Sequence, residues 1–185
     1  EFTSNLSLYE WELPIKVPVN NTISFMSHTL NYATCYPSYC LFKTYPVYDQ
    51  VNVSTICAER GTANGTLKQM NMSVITFNED LGIYVGSVNF NFATTTNSLT
   101  IDLPRSYDIN RTIVWHGQLP QSMKGSTTDQ NKGPQRCYAK AILQDSTTLL
   151  CTRAVDSLSL DAWGHVYLIE FPMPSHGVAG VVKEK

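Results

Sequence analysis

The chain has 185 residues, 43% of them hydrophobic, which is enough for one domain with a buried core or for one domain with an extension. The net charge is −2 and the 13 basic residues are spread along the chain, so the charge balance predicts neither nucleic acid nor an anionic membrane as a partner. No stretch approaches the roughly 18–20 apolar residues that cross a bilayer, and no signal peptide is recognisable.

Alternation of apolar and polar residues predicts β-strands along most of the chain. Residues 13–19 alternate but contain two prolines, which remove backbone donors, so this segment is predicted to be an edge strand. The cleanest pattern covers residues 87–92, and residues 99–103 alternate in the same way. Further strands are predicted at 23–26, 72–77, 83–86, 112–116, 137–143, 147–153 and 165–171. No stretch keeps a 3.6-residue apolar period over three turns, so helices should be short or absent.

About ten short strands separated by turn residues are typical of an all-β sandwich. We expect residues 1–174 to form this sandwich, either as one unit or with a sub-boundary near residue 105. Residues 117–136 are polar and rich in turn-forming residues, which predicts a long loop that is mobile or functional. Residues 175–185 are expected to be a linker or the start of a stalk.

Residues 80–84 read Asp-Leu-Gly-Ile-Tyr and follow a short alternating strand. The motif runs from Asp80 to Tyr84. Gly82 allows a tight bend, and the Tyr84 hydroxyl can fold back onto upstream backbone. This segment resembles the corner between strands E and F of variable-type immunoglobulin domains, where the pattern is Asp-x-Gly-x-Tyr-x-Cys. The resemblance implies an immunoglobulin-like β-sandwich with additional C-terminal strands and long loops, in which residues 99–103 form the closing strand.

Two features depart from that family. Gly86 stands where the second cysteine of the inter-sheet disulfide is expected, and no tryptophan follows Cys35 or Cys40 at the spacing of the usual core tryptophan. Residues 105–185 have no counterpart in one such domain. They either add strands to the same sandwich or form a second small β unit with its own disulfide.

The pattern Asn-x-Ser/Thr marks acceptors for N-linked glycans and occurs six times. With 13 asparagines and 35 serines and threonines, chance would give about two or three such sequons. The alternative is that a chain rich in these residues forms the pattern by accident. We expect glycans at Asn5, Asn20, Asn52, Asn64, Asn71 and Asn110. The chain is therefore predicted to be an extracellular or cell-surface ectodomain from the secretory pathway, or a piece of one, belonging to a type I membrane protein.

Five cysteines in an oxidising compartment predict two disulfides and one remaining thiol. Two predicted strands meet in a hairpin around residues 144–146, which would bring Cys137 within disulfide reach of Cys151. Cys35 and Cys40 can close a small loop together, or either can reach Cys57. The remaining thiol is expected to be buried and inert, and the alternative is a bond to another chain.

No catalytic or metal site is evident in the sequence. None of the four histidines has the spacing to another histidine or cysteine that zinc sites use. There is no Gly-x-Ser-x-Gly nucleophile motif, although the members of a Ser-His-Asp triad need not be close in the chain. We interpret His165 as a core or solvated histidine. The chain is expected not to be an enzyme and to hold neither a metal nor a cofactor.

Tyrosines near residue 36 form the first candidate binding surface. Tyr36 and Tyr39 lie in a tyrosine-rich stretch, and they would project on a stiff loop if the two cysteines that flank them are bridged. Tyrosine supplies a large contact area with few torsions to freeze, which favours binding. The alternative is that these rings line the core with their hydroxyl groups outward.

The part of the chain without sequons forms the second and broader candidate surface. Glycans face solvent and obstruct contact around them, and no sequon lies in residues 113–185. Trp115, Trp163 and Tyr167 are predicted to lie on this surface, together with the polar loop described above.

Divergent immunoglobulin-like folds with many sequons and displaced disulfides are similar to those of viral surface glycoproteins, among them the herpesvirus immunoevasins. The resemblance implies an ectodomain with a receptor-binding or immune-evasion role, whose partner is a host cell-surface receptor protein. The alternatives are a structural adhesion module, such as an egg-coat or matrix repeat, and a secreted lectin or hydrolase.

Overall fold

The structure is a computed structural model that describes residues 8–30, 42–49, 51–60, 67–93, 95–116, 123–125, 139–153 and 162–173. Within these residues the regular elements are β-strands, with short 3-10 turns at Val19–Asn21 and Glu79–Leu81. The strands are β1 Leu8–Pro18, β2 Thr22–Leu30, β3 Phe42–Tyr48, β4 Asn52–Arg60, β5 Leu67–Thr76, β6 Tyr84–Phe92, β7 Ser98–Asp102, β8 Thr112–Trp115, β9 Met123–Gly125, β10 Ala139–Leu143, β11 Thr148–Arg153 and β12 Ala162–Glu170. The prediction of an all-β fold is confirmed.

Three of these strands lack the alternation that predicts the others. β4 lies between β1 and β3 in a three-stranded sheet and buries Ile56, Cys57 and Ala58 in succession. β3 contains a proline, Pro46, and β9 is only three residues long within the segment predicted to be a polar loop. A strand that is covered on both faces, or is very short, gives no period-2 signal.

β1 is the proline-containing strand that the sequence predicts at a sheet edge. Among the described strands it pairs only with β4, so its edge position is confirmed. The pairing is interrupted between Glu12 and Val17, a stretch that contains Pro14. Proline has no backbone N–H to donate to the ladder, which accounts for the interruption.

β12 is the middle strand of a four-stranded sheet, which we call the central sheet. It pairs antiparallel with β6 on one side and with β8 and β9 on the other. Val166 and Leu168 face one side of the sheet, while His165 and Tyr167 face the opposite side, and all four are buried. Because both faces are covered, β12 has a nearly continuous apolar sequence instead of strict alternation.

A second sheet, in the order β10-β11-β7, covers one face of the central sheet, and we call it the flanking sheet. The core between them contains Phe90, Phe92, Leu149 and Cys151, packed together with Val166. Phe92 and Leu149 are completely buried. Full burial of such a side chain stabilises the fold by about 1.5–3 kcal/mol.

The ribbon of β2 and β5 covers the opposite face of the central sheet. Ile23 from β2 packs with Val85, Tyr167 and Ile169. The β1-β4-β3 sheet in turn packs on this ribbon through a small cluster of Tyr9, Met26 and Ala58. The central sheet is therefore enclosed between two layers.

The corner before β6 has the tight geometry that the sequence predicts. The Asn78 side chain accepts a hydrogen bond from the backbone N–H of Asp80, at 3.2 Å, at the start of the Glu79–Leu81 turn. Gly82 ends the turn with a φ of 61°, a left-handed conformation that favours glycine. Tyr84 then begins β6.

The pairing of β7, the next strand after β6, departs from the resemblance. The resemblance implies that residues 99–103 form the closing strand, and the structure has a strand there, β7 at residues 98–102. β7 pairs with β11 in the flanking sheet, whereas β6 pairs with β12 in the central sheet. The all-β sandwich is established, and the immunoglobulin-like type stays a prediction.

The space beside Gly86, where the family has a cysteine, is filled by a tyrosine. Tyr107 is buried, and a Cβ atom placed on Gly86 would overlap its hydroxyl oxygen and lie 3.1 Å from its Cζ atom. Only glycine fits at residue 86 while Tyr107 keeps this position.

Strands from before and after residue 105 lie together in both the flanking sheet and the central sheet. β10, β11 and β12 all follow this residue, and they join β6 and β7 in the flanking and central sheets. Arg105 itself bonds to Glu170 of β12, with 2.6 Å between Nη2 and Oε2, and its guanidinium group lies 4.0 Å from the centre of the Tyr84 ring. The residues after 105 therefore add strands to the same layers within the described chain.

Gly86→Ala is expected to lower the free energy of unfolding by about 1–3 kcal/mol, because the new methyl group would displace Tyr107 from its packed position. Urea denaturation monitored by circular dichroism measures this loss. In a Tyr107→Phe background the same substitution should cost less, since the overlapping oxygen is absent. Equal costs in the two backgrounds would contradict the described packing.

Candidate functional site

The sequon asparagines within the described residues are accessible to solvent. Three are exposed and one is half-buried; they are Asn20, Asn71 and Asn110, and the half-buried Asn52. They lie in the turn before β2, in β5, in the turn before β8 and at the start of β4. Such positions are compatible with the attachment of a bulky glycan. The remaining two, Asn5 and Asn64, lie outside the described residues.

The flanking sheet has no sequon on its solvent-facing side. We call this side the open face, and its side chains come from alternate positions of three strands. They are Ser98, Thr100, Asp102, Lys140, Ile142, Thr148, Leu150 and Thr152. The alternate residues of the same strands, among them Leu149 and Cys151, face the core.

The open face has an apolar centre and polar surroundings. Ile142 lies opposite Leu150, and Leu150 lies opposite Thr100 on the next strand. Ile142 is 37% exposed, which is enough for a partner to contact it. Lys140 and Asp102 lie toward opposite ends of the sheet, because Lys140 pairs with Thr152 and Asp102 pairs with Thr148. Protein interfaces commonly combine an apolar core with a polar rim.

Tyr167 was predicted to be a contact residue, and this prediction is wrong. Its side chain is only 1% exposed because it faces the β2–β5 ribbon across the core. The Tyr167 hydroxyl lies 2.6 Å from the Ser24 hydroxyl and accepts a hydrogen bond from the Ser24 backbone N–H at 3.1 Å. This tyrosine therefore joins two layers of the protein and is inaccessible to a partner.

The other aromatic candidates are less buried than Tyr167. Trp115 is half-buried, and its ring packs 5.8 Å, centre to centre, from that of Phe25. Trp163 is half-buried in β12 opposite Lys124. Tyr36 and Tyr39 lie outside the described residues, so their role in binding stays a prediction.

A hydrogen-bonded serine–histidine pair lies on the ribbon side of the central sheet. The Ser87 hydroxyl oxygen is 2.7 Å from Nε2 of His165, whose side chain is completely buried. Among the described residues, no group forms a hydrogen bond with Nδ1 of His165. The interpretation of His165 as a core histidine is confirmed. Its contact with a serine 78 positions away had no signal in the sequence.

The environment of His165 makes it a weak base. Burial is the main cause that lowers the pKa of His165 to about 3, and the positive charges of Lys43 and the His116 ring contribute to the same shift. General-base catalysis favours a pKa near the working pH and a third group that orients the histidine. The Ser87–His165 pair has neither feature among the described residues, so we assign it a structural role.

Cys151 was predicted to form a disulfide with Cys137, and the structure contradicts this prediction. Cys151 is a free, fully buried thiol opposite Ala141, and the turn between the two strands covers residues 144–147. The register of the described strands therefore places Ala141, four positions after Cys137 in the sequence, opposite Cys151. Cys137 itself lies outside the described residues.

A second described cysteine is also a free, buried thiol. Burial raises the pKa of Cys57 to about 11, and the neighbouring Glu10 carboxylate raises it as well. Burial alone raises the pKa of Cys151 to about 12. Because the thiolate is the reactive form, both groups are chemically inert in the folded protein at neutral pH.

The described residues contain no cluster of three or more His, Cys, Asp or Glu side chains arranged to bind a metal ion. No helix in the described part of the chain has both the length and the apolar character required to cross a membrane. Among the features with a describable geometry, the open face is therefore the strongest candidate for a functional surface.

Lowering the pH from 7 to 5 is expected to reduce the free energy of unfolding by about 2 kcal/mol through His165. The pKa of His165 is about 3 in the folded state and ordinarily about 6.5, so the unfolded chain takes up the proton first. The stabilisation from neutral His165 is complete above about pH 6.5 and is lost as the pH falls toward 3.

Urea denaturation at several pH values measures this effect, with His165→Gln as the matched variant. The variant should lose less stability between pH 7 and 5, since glutamine does not titrate and can still bond to Ser87. An identical pH dependence in the two proteins would contradict the burial of a neutral imidazole at this position.

The chain was compared with protein-family models, with curated proteins and with solved structures, and no match was found. Its all-β character therefore rests on the strands and sheets described above. Its function is argued from the surface and the sequons.

Proposed function

We propose that the chain is an extracellular or cell-surface glycoprotein domain that binds a host cell-surface receptor protein, in a receptor-binding or immune-evasion role. The observation that carries this proposal is the distribution of sequons relative to the open face. The accessible sequon asparagines belong to the turn before β2, to β4, to β5 and to the turn before β8, whereas the flanking sheet has none. Glycans on the first set leave one sheet face free for contact.

The chemistry of the open face supports a protein partner. Its centre offers two aliphatic side chains, Ile142 and Leu150, and its margins offer hydroxyl groups from serine and threonine. Lys140 and Asp102 give it one charge of each sign, so it has no strong field for a polyanion or a polycation. Apolar contact at the centre with hydrogen bonds around it is the usual composition of a protein–protein interface.

This proposal shifts the contact surface away from the central sheet. Tyr167 faces the core, and Trp115 packs against Phe25. The proposed binding surface therefore includes neither residue. The flanking sheet still belongs largely to the part of the chain without sequons, since two of its three strands follow residue 110. The viral origin and the immune-evasion role rest on the resemblance to immunoevasins.

Leu150→Asn is the sharpest test, because it creates the sequon Asn-Cys-Thr at the centre of the open face. A glycan at residue 150 should reduce binding of the secreted protein to receptor-bearing cells at least tenfold, measured by flow cytometry with a fluorescent tag. Ala93→Thr is the matched control. It creates the sequon Asn-Phe-Thr at exposed Asn91 of β6, away from the flanking sheet, and should leave binding unchanged.

Circular dichroism and thermal melts of both variants establish that the added glycan leaves the fold intact. Trypsin treatment of the cells should abolish binding of the unmodified protein, whereas sialidase treatment should not. Binding that persists in the Leu150→Asn variant would overturn the open face as the contact. Binding that survives trypsin and is lost with sialidase would indicate a lectin instead.

A further inference from the structure

A groove runs beside the start of β6. Its first part is a cavity of about 430 Å³ lined by residues that include Asn20, Asn52 and Tyr84. Its second part, of about 210 Å³, is lined by residues that include Asn20, Tyr48 and Tyr84. Asn20 and Tyr84 line both parts, so the two cavities are adjacent, and we call them together the groove. The volume of the first part lies within the range of ligand pockets, about 300–1,000 Å³.

The second part of the groove follows one edge of the central sheet. β6 pairs with β12 along its whole length, and no other described strand pairs with β6. The groove is lined by β6 residues from Tyr84 to Val88. A strand edge without a partner is a template for pairing with another chain, and proteins usually cover such an edge.

Two sequons far apart in the sequence meet at this groove. Asn20 is exposed and lines both parts, whereas Asn52 is half-buried and lines only the first. A sugar chain attached to Asn20 would therefore begin inside the groove. Tyr48 is 51% exposed in the groove wall, and its ring offers an apolar surface with a polar tip for the sugar to pack against.

We propose that the N-linked glycan of Asn20 lies in this groove and covers the edge of β6. This inference rests on the proposed glycoprotein nature of the chain, and it assigns a structural role to one of its sugars. The sugar closest to Asn20 packs on Tyr48 and Tyr84, and the following sugars extend along β6. The covered glycan is shielded from enzymes, and the covered strand is shielded from a second copy of the chain.

The first test is site-resolved release of glycans from the natively folded, secreted protein. A peptide N-glycosidase is added, and glycopeptide mass spectrometry follows each asparagine over time. The sugar on Asn20 should be released at least tenfold more slowly than the sugar on Asn110, which is exposed in the turn before β8. Tyr48→Ala should bring the two rates closer together, because it removes part of the groove wall.

The second test compares Asn20→Gln with the control Asn110→Gln by size-exclusion chromatography over a range of concentrations. Loss of the Asn20 glycan should produce dimers or larger species through the uncovered edge of β6, whereas the control should elute like the unmodified protein. Both tests use the secreted protein and need no receptor.

Three results would overturn the inference. These are an Asn20 without sugar, equal release rates at Asn20 and Asn110, and Asn20→Gln eluting like its control. Sugar missing from all six sequons would overturn the proposed function as well. A protected Asn20 glycan in a protein that binds no cell would overturn only the receptor proposal, so the two failures are distinguishable.

Discussion

The burial of β12 on both faces is the constraint on which the rest of the structure depends. Val166 and Leu168 join the flanking sheet to the central sheet, and Tyr167 and Ile169 join the β2–β5 ribbon to the other face. One strand near the end of the described chain thus holds two layers together. The flanking sheet and the β2–β5 ribbon can bury their apolar faces only once β12 is in position between them.

This central position also separates the polar groups inside the protein from the surfaces that can bind. The hydrogen bonds of Ser87 with His165 and of Ser24 with Tyr167 lie on the ribbon side of the central sheet, where the His165 and Tyr167 side chains are buried. The accessible chemistry is left to the sequons and to the open face. The two proposals follow this division, since one face stays bare for a partner and one strand edge is covered by sugar.

The sequence was sufficient to predict the elements that face solvent on one side. Residues 87–92 alternate because one face of β6 packs against the flanking sheet, and the bend at Gly82 follows from glycine's freedom at positive φ. The roles of Tyr167 and Cys151 could not be predicted, because both depend on which strands become neighbours. Alternation gives the faces of a strand but neither its partners nor the register of a hairpin, and the position of Cys151 opposite Ala141 depends on that register.

Hydrogen exchange of the backbone amides, followed by mass spectrometry of the purified protein, tests the central position of β12 most directly. Residues 162–170 should exchange more slowly than β1, which is an edge strand, and at a rate set by global unfolding. Exchange in β12 that is as fast as in β1 would contradict the account, because a strand enclosed between two layers cannot open by itself.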